Sequence, residues 1–321
     1  MDKLNNKLQL INEGITAFID QNKDVKGLLS IGSYSQGTFD TFSDMDLFLF
    51  TGTPAKYMDW DDAHWAEPLG TVISRRIFRD RGDGVDKNKL ILDNGIMYDF
   101  TLVPMKNFHV IRTYLQLKRI KLSGLIPGFM NRGINASAER FYETIRRGYY
   151  IHHDAIGLQG IVPQLKGYYG DKWPSLPTKK TFANSYNNFW QSCYTASIKL
   201  IKGEYYHNIL LYDNYMKHQI LHILEWLAIT RDTSVDVFFN GAKMEQWTER
   251  EIYSQILPTL FHQDIMEMQY CLLRSAALYQ ELSKALSELY GFPLNKQFED
   301  FVIKFIKQTA IPQTKNRLAR I

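Results

Sequence analysis

The chain is poor in cysteine, with two in 321 residues, Cys193 and Cys271. Both fall inside apolar, helix-like patterns and no Cys-x-x-Cys spacing occurs, so buried thiols are expected and a cysteine-based metal site is excluded. No apolar run reaches membrane-spanning length, which predicts no membrane partner. Net charge is low: 38 Lys and Arg oppose 34 Asp and Glu, a formal +4. A dedicated nucleic-acid binder shows a concentrated basic face, so this balance argues against nucleic acid as a partner. The opening MDKLNNKLQLINEG is an amphipathic helical pattern carrying acidic residues, Asp2 and Glu13, unlike a secretory or transit segment. These readings predict a cytoplasmic protein. With 45% hydrophobic and 22% charged residues, the composition is that of an ordinary globular chain long enough for two domains.

The most informative stretch is Leu28 to Phe50, LLSIGSYSQGTFDTFSDMDLFLF. An apolar run ends at Gly32-Ser33, and a second begins at Asp44-Met45-Asp46. Apolar run, break, apolar run reads as strand, turn with short helix, strand. Carboxylates at i and i+2 of a strand point to one side. Such a pair repels itself unless a cation lies between, and hard divalent ions prefer oxygen ligands. Downstream, Lys89 to Asp93 and Ile96 to Pro104 read as a hairpin turning at Asn94-Gly95. Asp99 sits mid-strand among apolar residues, where a charge is costly unless paired or metal-bound. If that strand lies beside the Asp46 strand, Asp99 completes a three-carboxylate cluster. Taken singly, Gly-Ser is a turn, Asp-x-Asp a solvated loop and a mid-strand Asp an edge residue; the ordered set carries the argument.

Leu4 to Ile19 patterns as a helix covering a sheet. Strands are expected over Val25 to Ile31, Met45 to Phe50 and Gly70 to Asp80, then the hairpin, with a short helix over Trp60 to Glu67 and a polar loop over Arg81 to Asn88. Helices are expected over Lys106 to Lys121 and Glu139 to Arg147, and a last strand over Tyr149 to Asp154. The part up to Pro104 thus has four or five strands of mixed order, and Tyr149 to Asp154 adds a last one. Gly167 to Pro177, rich in Gly, Pro and aromatics, reads as a linker. Beyond it the period is helical: Phe182 to Ile201, Tyr205 to Thr230, Thr248 to Phe261 with a cap-like Thr248 and Glu251, Asp264 to Tyr290, and Asn295 to Gln308, then a basic tail. The fold class is therefore α+β, a mixed-sheet domain over residues 1–170 followed by an antiparallel helical bundle over residues 178–321.

Gly32-Ser33, Gly37, Ser43-Asp44-Met45-Asp46 and Asp99 together resemble the nucleotidyltransferase superfamily of the DNA polymerase β type. Within it the chain is most similar to the bacterial lincosamide nucleotidyltransferases and aminoglycoside 6-adenylyltransferases. Asn188-Phe189-Trp190, Ile201-Lys202-Gly203-Glu204, Leu224-Glu225-Trp226, Gly241-Ala242-Lys243-Met244 and Tyr290-Gly291-Phe292 extend the resemblance into the second half. It implies a catalytic first domain, a substrate-binding second domain, and transfer of AMP from ATP to a hydroxyl of a lincosamide or aminoglycoside, releasing pyrophosphate. Partners would be the nucleoside triphosphate and a small-molecule antibiotic, and the chain a monomer or homodimer.

The resemblance implies Mg²⁺ held by Asp44 and Asp46, with Asp99 as third ligand or general base. A carboxylate flanked by two others is expected to have a raised pKa, which suits a base. Gly32, Ser33 and Ser43 match the phosphate-contacting positions, and the serines read equally as turn and cap hydroxyls. Where many family members have Arg, this chain has Gln36, so one phosphate charge partner is missing. Lys243 matches a lysine of both families and is a candidate for the triphosphate, or else a solvated loop lysine; Lys202 and Lys217 are weaker candidates. Glu204, Glu225, Trp190 and Tyr194 are candidates for an acidic, aromatic acceptor cleft, or else helix surface and core. Two other readings stand beside this one: a nucleotidyltransferase acting on a protein, tRNA or metabolite, and a non-catalytic nucleotide-binding module.

Overall fold

The computed structural model describes residues 2–78, 85–170, 176–237, 239–260 and 265–309. Residues 81–84 of the expected 81–88 loop, residues 171–175 of the expected 167–177 linker, the expected strand end at Asp80, the expected helix ends at Phe261 and Asp264, and the basic tail lie outside the described residues. The chain divides into two compact units, Met1–Lys172 and Trp173–Ile321.

The first unit opens with α1 (Asp2–Gln21). Strand β1 (Val25–Ser30), the one-turn helix α2 (Gly32–Gln36) and β2 (Met45–Thr51) follow. A 3-10 turn over His64–Leu69 stands where a short helix was expected over Trp60 to Glu67, and Pro68 inside it disfavours a regular α-helix; another 3-10 turn, Pro54–Met58, precedes it. Then come β3 (Val72–Phe78), β4 (Lys87–Leu92), β5 (Met97–Pro104), α3 (Met105–Arg119), α4 (Gly128–Ile145), β6 (Tyr150–Asp154) and α5 (Leu158–Tyr169). The sheet has six strands, the last of them the one expected over Tyr149 to Asp154, in the order β3-β4-β5-β2-β1-β6. Only the β2–β5 pair is parallel. Helix α5 was not anticipated; Asp154 caps it, its carboxylate accepting from the backbone N–H of Gly157 at 2.7 Å and Leu158 at 2.8 Å.

The period-two pattern of β2 and β5 decides the layering. Met45, Leu47, Leu49, Tyr98, Phe100 and Leu102 point to one face and pack on Ile11, Ile15 and Phe18 of α1. Phe48 and Phe50 point to the other, where they meet Phe141 of α4 and Phe108 of α3 edge-on at 5.6 and 5.2 Å. Asp46 and Asp99 share this second face, at the starts of their strands. At the far end of β2, Asp24 accepts hydrogen bonds from Lys56, Tyr57, Thr53 and Thr51 at 2.7–2.9 Å. Burial alone would raise its carboxyl, but these donors outweigh it and hold the group well below the usual carboxylate range.

The second unit is helical: α6 (Lys179–Ile201), α7 (Tyr205–Leu211), α8 (Lys217–Arg231), α9 (Met244–Trp247), α10 (Arg250–Ile256), α11 (Ile265–Tyr290) and α12 (Lys296–Gln308). The single helix expected over Tyr205 to Thr230 is interrupted by a π-turn, Tyr212–Met216. There the Tyr212 hydroxyl donates to the Thr259 carbonyl at 2.6 Å. The cap expected at Thr248 does not form. Helix α10 starts at Arg250, and the Thr248 hydroxyl is buried with no hydrogen-bond partner. The core is aromatic, with Phe189 stacked on Tyr279 at 3.7 Å. Glu299, the one fully buried carboxylate among the described residues of this unit, is satisfied by Tyr186, by Gln280 at 2.7 Å and by Lys296 at 2.7 Å. No described helix is long and apolar enough to cross a membrane.

Candidate active site

The site grows from strand register. Parallel pairing sets Asp46 of β2 opposite Asp99 of β5. Antiparallel pairing sets Lys89 of β4 opposite the same Asp99. Opposed residues of a ladder share a face, so Asp46, Asp99 and Lys89 form a row across three adjacent strands. Asp44, one residue before β2, receives the Lys89 ammonium, Nζ to Oδ2 2.8 Å. Lys87 lies 3.9 Å from Asp99 Oδ2.

Asp99 is 16% exposed in its side chain, and its Oδ1 is buried with no hydrogen-bond partner. The carboxyl of Asp46 is pushed up to about 6: burial is the main cause, Asp44 and Asp99 add repulsion, and Lys87 and Lys89 oppose it. The donors are all hard oxygens, one buried oxygen has no partner, and one carboxyl resists ionising beside its neighbours. A divalent cation relieves each of these conditions. The three acids do not yet converge on a point: among the described residues, no three His, Cys, Asp or Glu side chains are gathered closely enough to hold a metal ion.

Gly32, the first residue of α2, is a glycine where the acid leaves no room for a side chain. Its φ is +68°, and a Cβ there would lie 2.7 Å from Asp46 Oδ2. The Ile31 N–H donates to the Asp46 carbonyl at 3.1 Å. Helix α2 ends at Gly37, φ +71°, where the Thr38 N–H returns to the Ser33 carbonyl at 3.0 Å. Ser33 is thus half-buried in the first turn of α2, beside Gly32. Ser43 plays the cap role: its hydroxyl donates to Asp40 Oδ1 at 2.9 Å and accepts from the Asp40 N–H at 3.0 Å.

Two contributors were missed from sequence. Lys7 of α1 donates to the carbonyls of Thr41 at 2.9 Å and Ser43 at 2.7 Å, fastening the loop that delivers Asp44. Its position on the polar side of an amphipathic helix carries no signal. Lys89 was hidden by register: a two-residue Asn94-Gly95 turn would set residue 89 opposite residue 100, whereas the observed loop, which includes Asp93, sets it opposite Asp99.

Lys243 lies in the second unit, exposed and in a left-handed conformation, φ 52°. Lys217 pairs with Asp213 at 2.6 Å and Lys202 caps α6. Trp190 is not a cleft residue: it is fully buried, packed between Phe189 and Tyr279. Tyr194 leans on Phe301 and Phe305 of α12 at 5.4 and 5.0 Å. Glu204 is held by Lys199 at 2.5 Å, and Glu225 is half-buried in α8.

Residues 159–309 match the model of the family described as streptomycin adenylyltransferase. No curated protein matches the chain. Among solved structures, the chain is similar to an aminoglycoside 6-adenyltransferase from Bacillus subtilis, at 15% identity and a TM-score of 0.42, covering 93% of this chain and 97% of the other. Residues 159–309, a little under half of the chain, are thus similar to the streptomycin adenylyltransferases, a family of nucleotidyltransferase enzymes.

Proposed function

We propose that the chain transfers an adenylyl group from ATP to a hydroxyl of an aminoglycoside, with Mg²⁺ as its metal. The observation that carries this reading is the in-register pair Asp46 and Asp99 on parallel strands, with Asp44 beside them, in a chain whose second half matches the streptomycin adenylyltransferases. That match favours an aminoglycoside over a lincosamide as acceptor. The unit Met1–Lys172 is then the catalytic domain and the helical unit the antibiotic-binding one.

In this reading Asp44 and Asp46 hold the metal, and Asp99 adds its buried Oδ1 or takes the acceptor proton. When bound, the metal supplies positive charge that offsets the charge of the leaving pyrophosphate. The acceptor oxygen attacks the α-phosphorus, the bond from that phosphorus to the β-bridging oxygen breaks, and pyrophosphate departs. The acceptor proton passes to the Asp99 carboxylate. Gly32 and Ser33 lie in the α2 turn, next to Asp46, and take the phosphates there; Ser43 serves by shaping the loop. Lys243 is assigned to the nucleotide through its match to the family lysine.

The test is pyrophosphate release from ATP and Mg²⁺ with a panel of streptomycin, kanamycin, spectinomycin, lincomycin and clindamycin. Release with an aminoglycoside is expected. Release with a lincosamide alone would overturn the acceptor class. Silence across the panel with ATP still bound would move the acceptor to a protein, tRNA or metabolite. ATP binding with no turnover under any acceptor would leave a nucleotide-binding module.

A further inference from the structure

We propose that Lys89 is a triphosphate-binding residue of this site: paired with Asp44 when no nucleotide is present, it passes to the phosphates when Asp44 takes the metal. The inference rests on the nucleotidyltransferase reading above and names a residue which that reading leaves out.

The first observation is a gap in charge. Helix α2 and its turn, beside Asp46, carry no basic residue from Gly32 to Thr38. A triphosphate needs cationic donors that a bare backbone turn does not supply. The second is placement. Lys89 stands opposite Asp99 in the ladder, in the same row as Asp46, and its ammonium reaches beyond the strand end to Asp44. A cation that spans this distance across the mouth of the acidic site is within reach of whatever the site binds. The third is energetic. The Lys89 and Asp44 side chains are 32% and 35% exposed, and ion pairs at such exposure contribute only about 0–1 kcal/mol. A divalent cation on Asp44 and a polyanion beside it outweigh that attraction, so the pair is exchangeable. Lys87, 46% exposed and 3.9 Å from Asp99, is more loosely held and farther from Asp44. A purely structural pairing would leave Lys89 where it is when nucleotide binds, and the two roles differ in a measurable way.

The experiment is calorimetric titration of the full chain and its Lys89→Gln and Lys89→Arg variants with Mg²⁺·ATP, with adenosine, and with Mn²⁺ alone. Folding of each is checked by circular dichroism, and Lys89→Met replaces the Gln variant if that one does not fold. Loss of a charge-assisted contact predicts Mg²⁺·ATP binding weakened about tenfold or more in Lys89→Gln. Adenosine binding should stay within about twofold, and Lys89→Arg should recover most of the ATP affinity. Mn²⁺ alone should bind more tightly to Lys89→Gln, because Asp44 is no longer shared. Unchanged or tighter Mg²⁺·ATP binding by Lys89→Gln overturns the proposal and leaves Lys89 a counter-ion of Asp44. Wild-type chain that binds no Mg²⁺·ATP would instead overturn the nucleotidyltransferase reading itself, and this proposal with it.

Discussion

Asp46 and Asp99 face each other in register across the parallel strands β2 and β5, and Lys89 continues the row on β4. Two acids are therefore held side by side on a rigid sheet, with a third, Asp44, on the loop entering it. The site is tense without a bound cation, and several of its consequences can be measured.

Replacing Asp46 by Asn should abolish transfer and stabilise the fold. The folded carboxyl titrates at about 6 against an ordinary 3.8, so its contribution to stability is fully present below pH 3.8 and is lost as pH rises through 6. At pH 7–8 and without metal, Asp46→Asn should gain about 2–3 kcal/mol, since each pKa unit corresponds to about 1.4 kcal/mol. Thermal unfolding of both proteins from pH 4 to 8 checks this; the curves should converge near pH 4. A variant with normal turnover would remove Asp46 from the metal assignment.

Asp99→Asn should lower the transfer rate by a hundredfold or more, the usual scale of a lost general base, while ATP binding stays measurable. If Mg²⁺-dependent ATP binding vanished as well, Asp99 would be chiefly a ligand. Single-turnover rates and binding titrations on one preparation separate the two.

Gly32→Ala combines two penalties. The backbone is at φ +68°, and the new Cβ would sit 2.7 Å from Asp46 Oδ2. The conformational part alone costs about 1 kcal/mol, and the acid must move as well. A lower melting temperature together with lost activity is expected. Retained activity would show that the Gly32–Asp46 contact is dispensable.

Lys7→Met removes the two hydrogen bonds that fasten the Thr41–Ser43 loop to α1. The expected signature is a drop in kcat and weaker metal binding with little change in antibiotic KM, because Lys7 positions Asp44 without touching the substrate. Parallel losses in antibiotic KM would instead indicate wider unfolding. Steady-state kinetics with both substrates varied makes the distinction.

His152 predicts an acid limb of stability. Burial pushes its imidazole down to about 4 from 6.5, with Nε2 3.0 Å from the Ser30 hydroxyl. Its stabilising contribution is present above pH 6.5 and is lost as pH falls through 4. His152→Gln should flatten this part of the stability profile between pH 6 and 4. An unchanged profile would place the acid sensitivity elsewhere.

Local pattern settled much of this molecule. The alternation in MDLFLF and MYDFTLV sets which residues face α1, and so puts Asp46 and Asp99 on the opposite face before any partner strand is known. Asn94-Gly95 marks where the hairpin turns, but a two-residue turn there would set Lys89 opposite Phe100; the observed loop takes in Asp93 as well, and that shift brings Lys89 to Asp99. The 3.6-residue period marks the helices of the second unit, because each buries one stripe in a shared core. Tertiary structure alone decided the rest. That β2 and β5 are neighbours is a pairing between segments about fifty residues apart, which no local propensity specifies. The hold of Lys7 on the Ser43 loop depends on how α1 crosses the sheet, and Trp190 became core because Phe189 and Tyr279 close around it. The same amino-acid types serve as cleft or core, cap or orphan, according to what long-range packing places beside them.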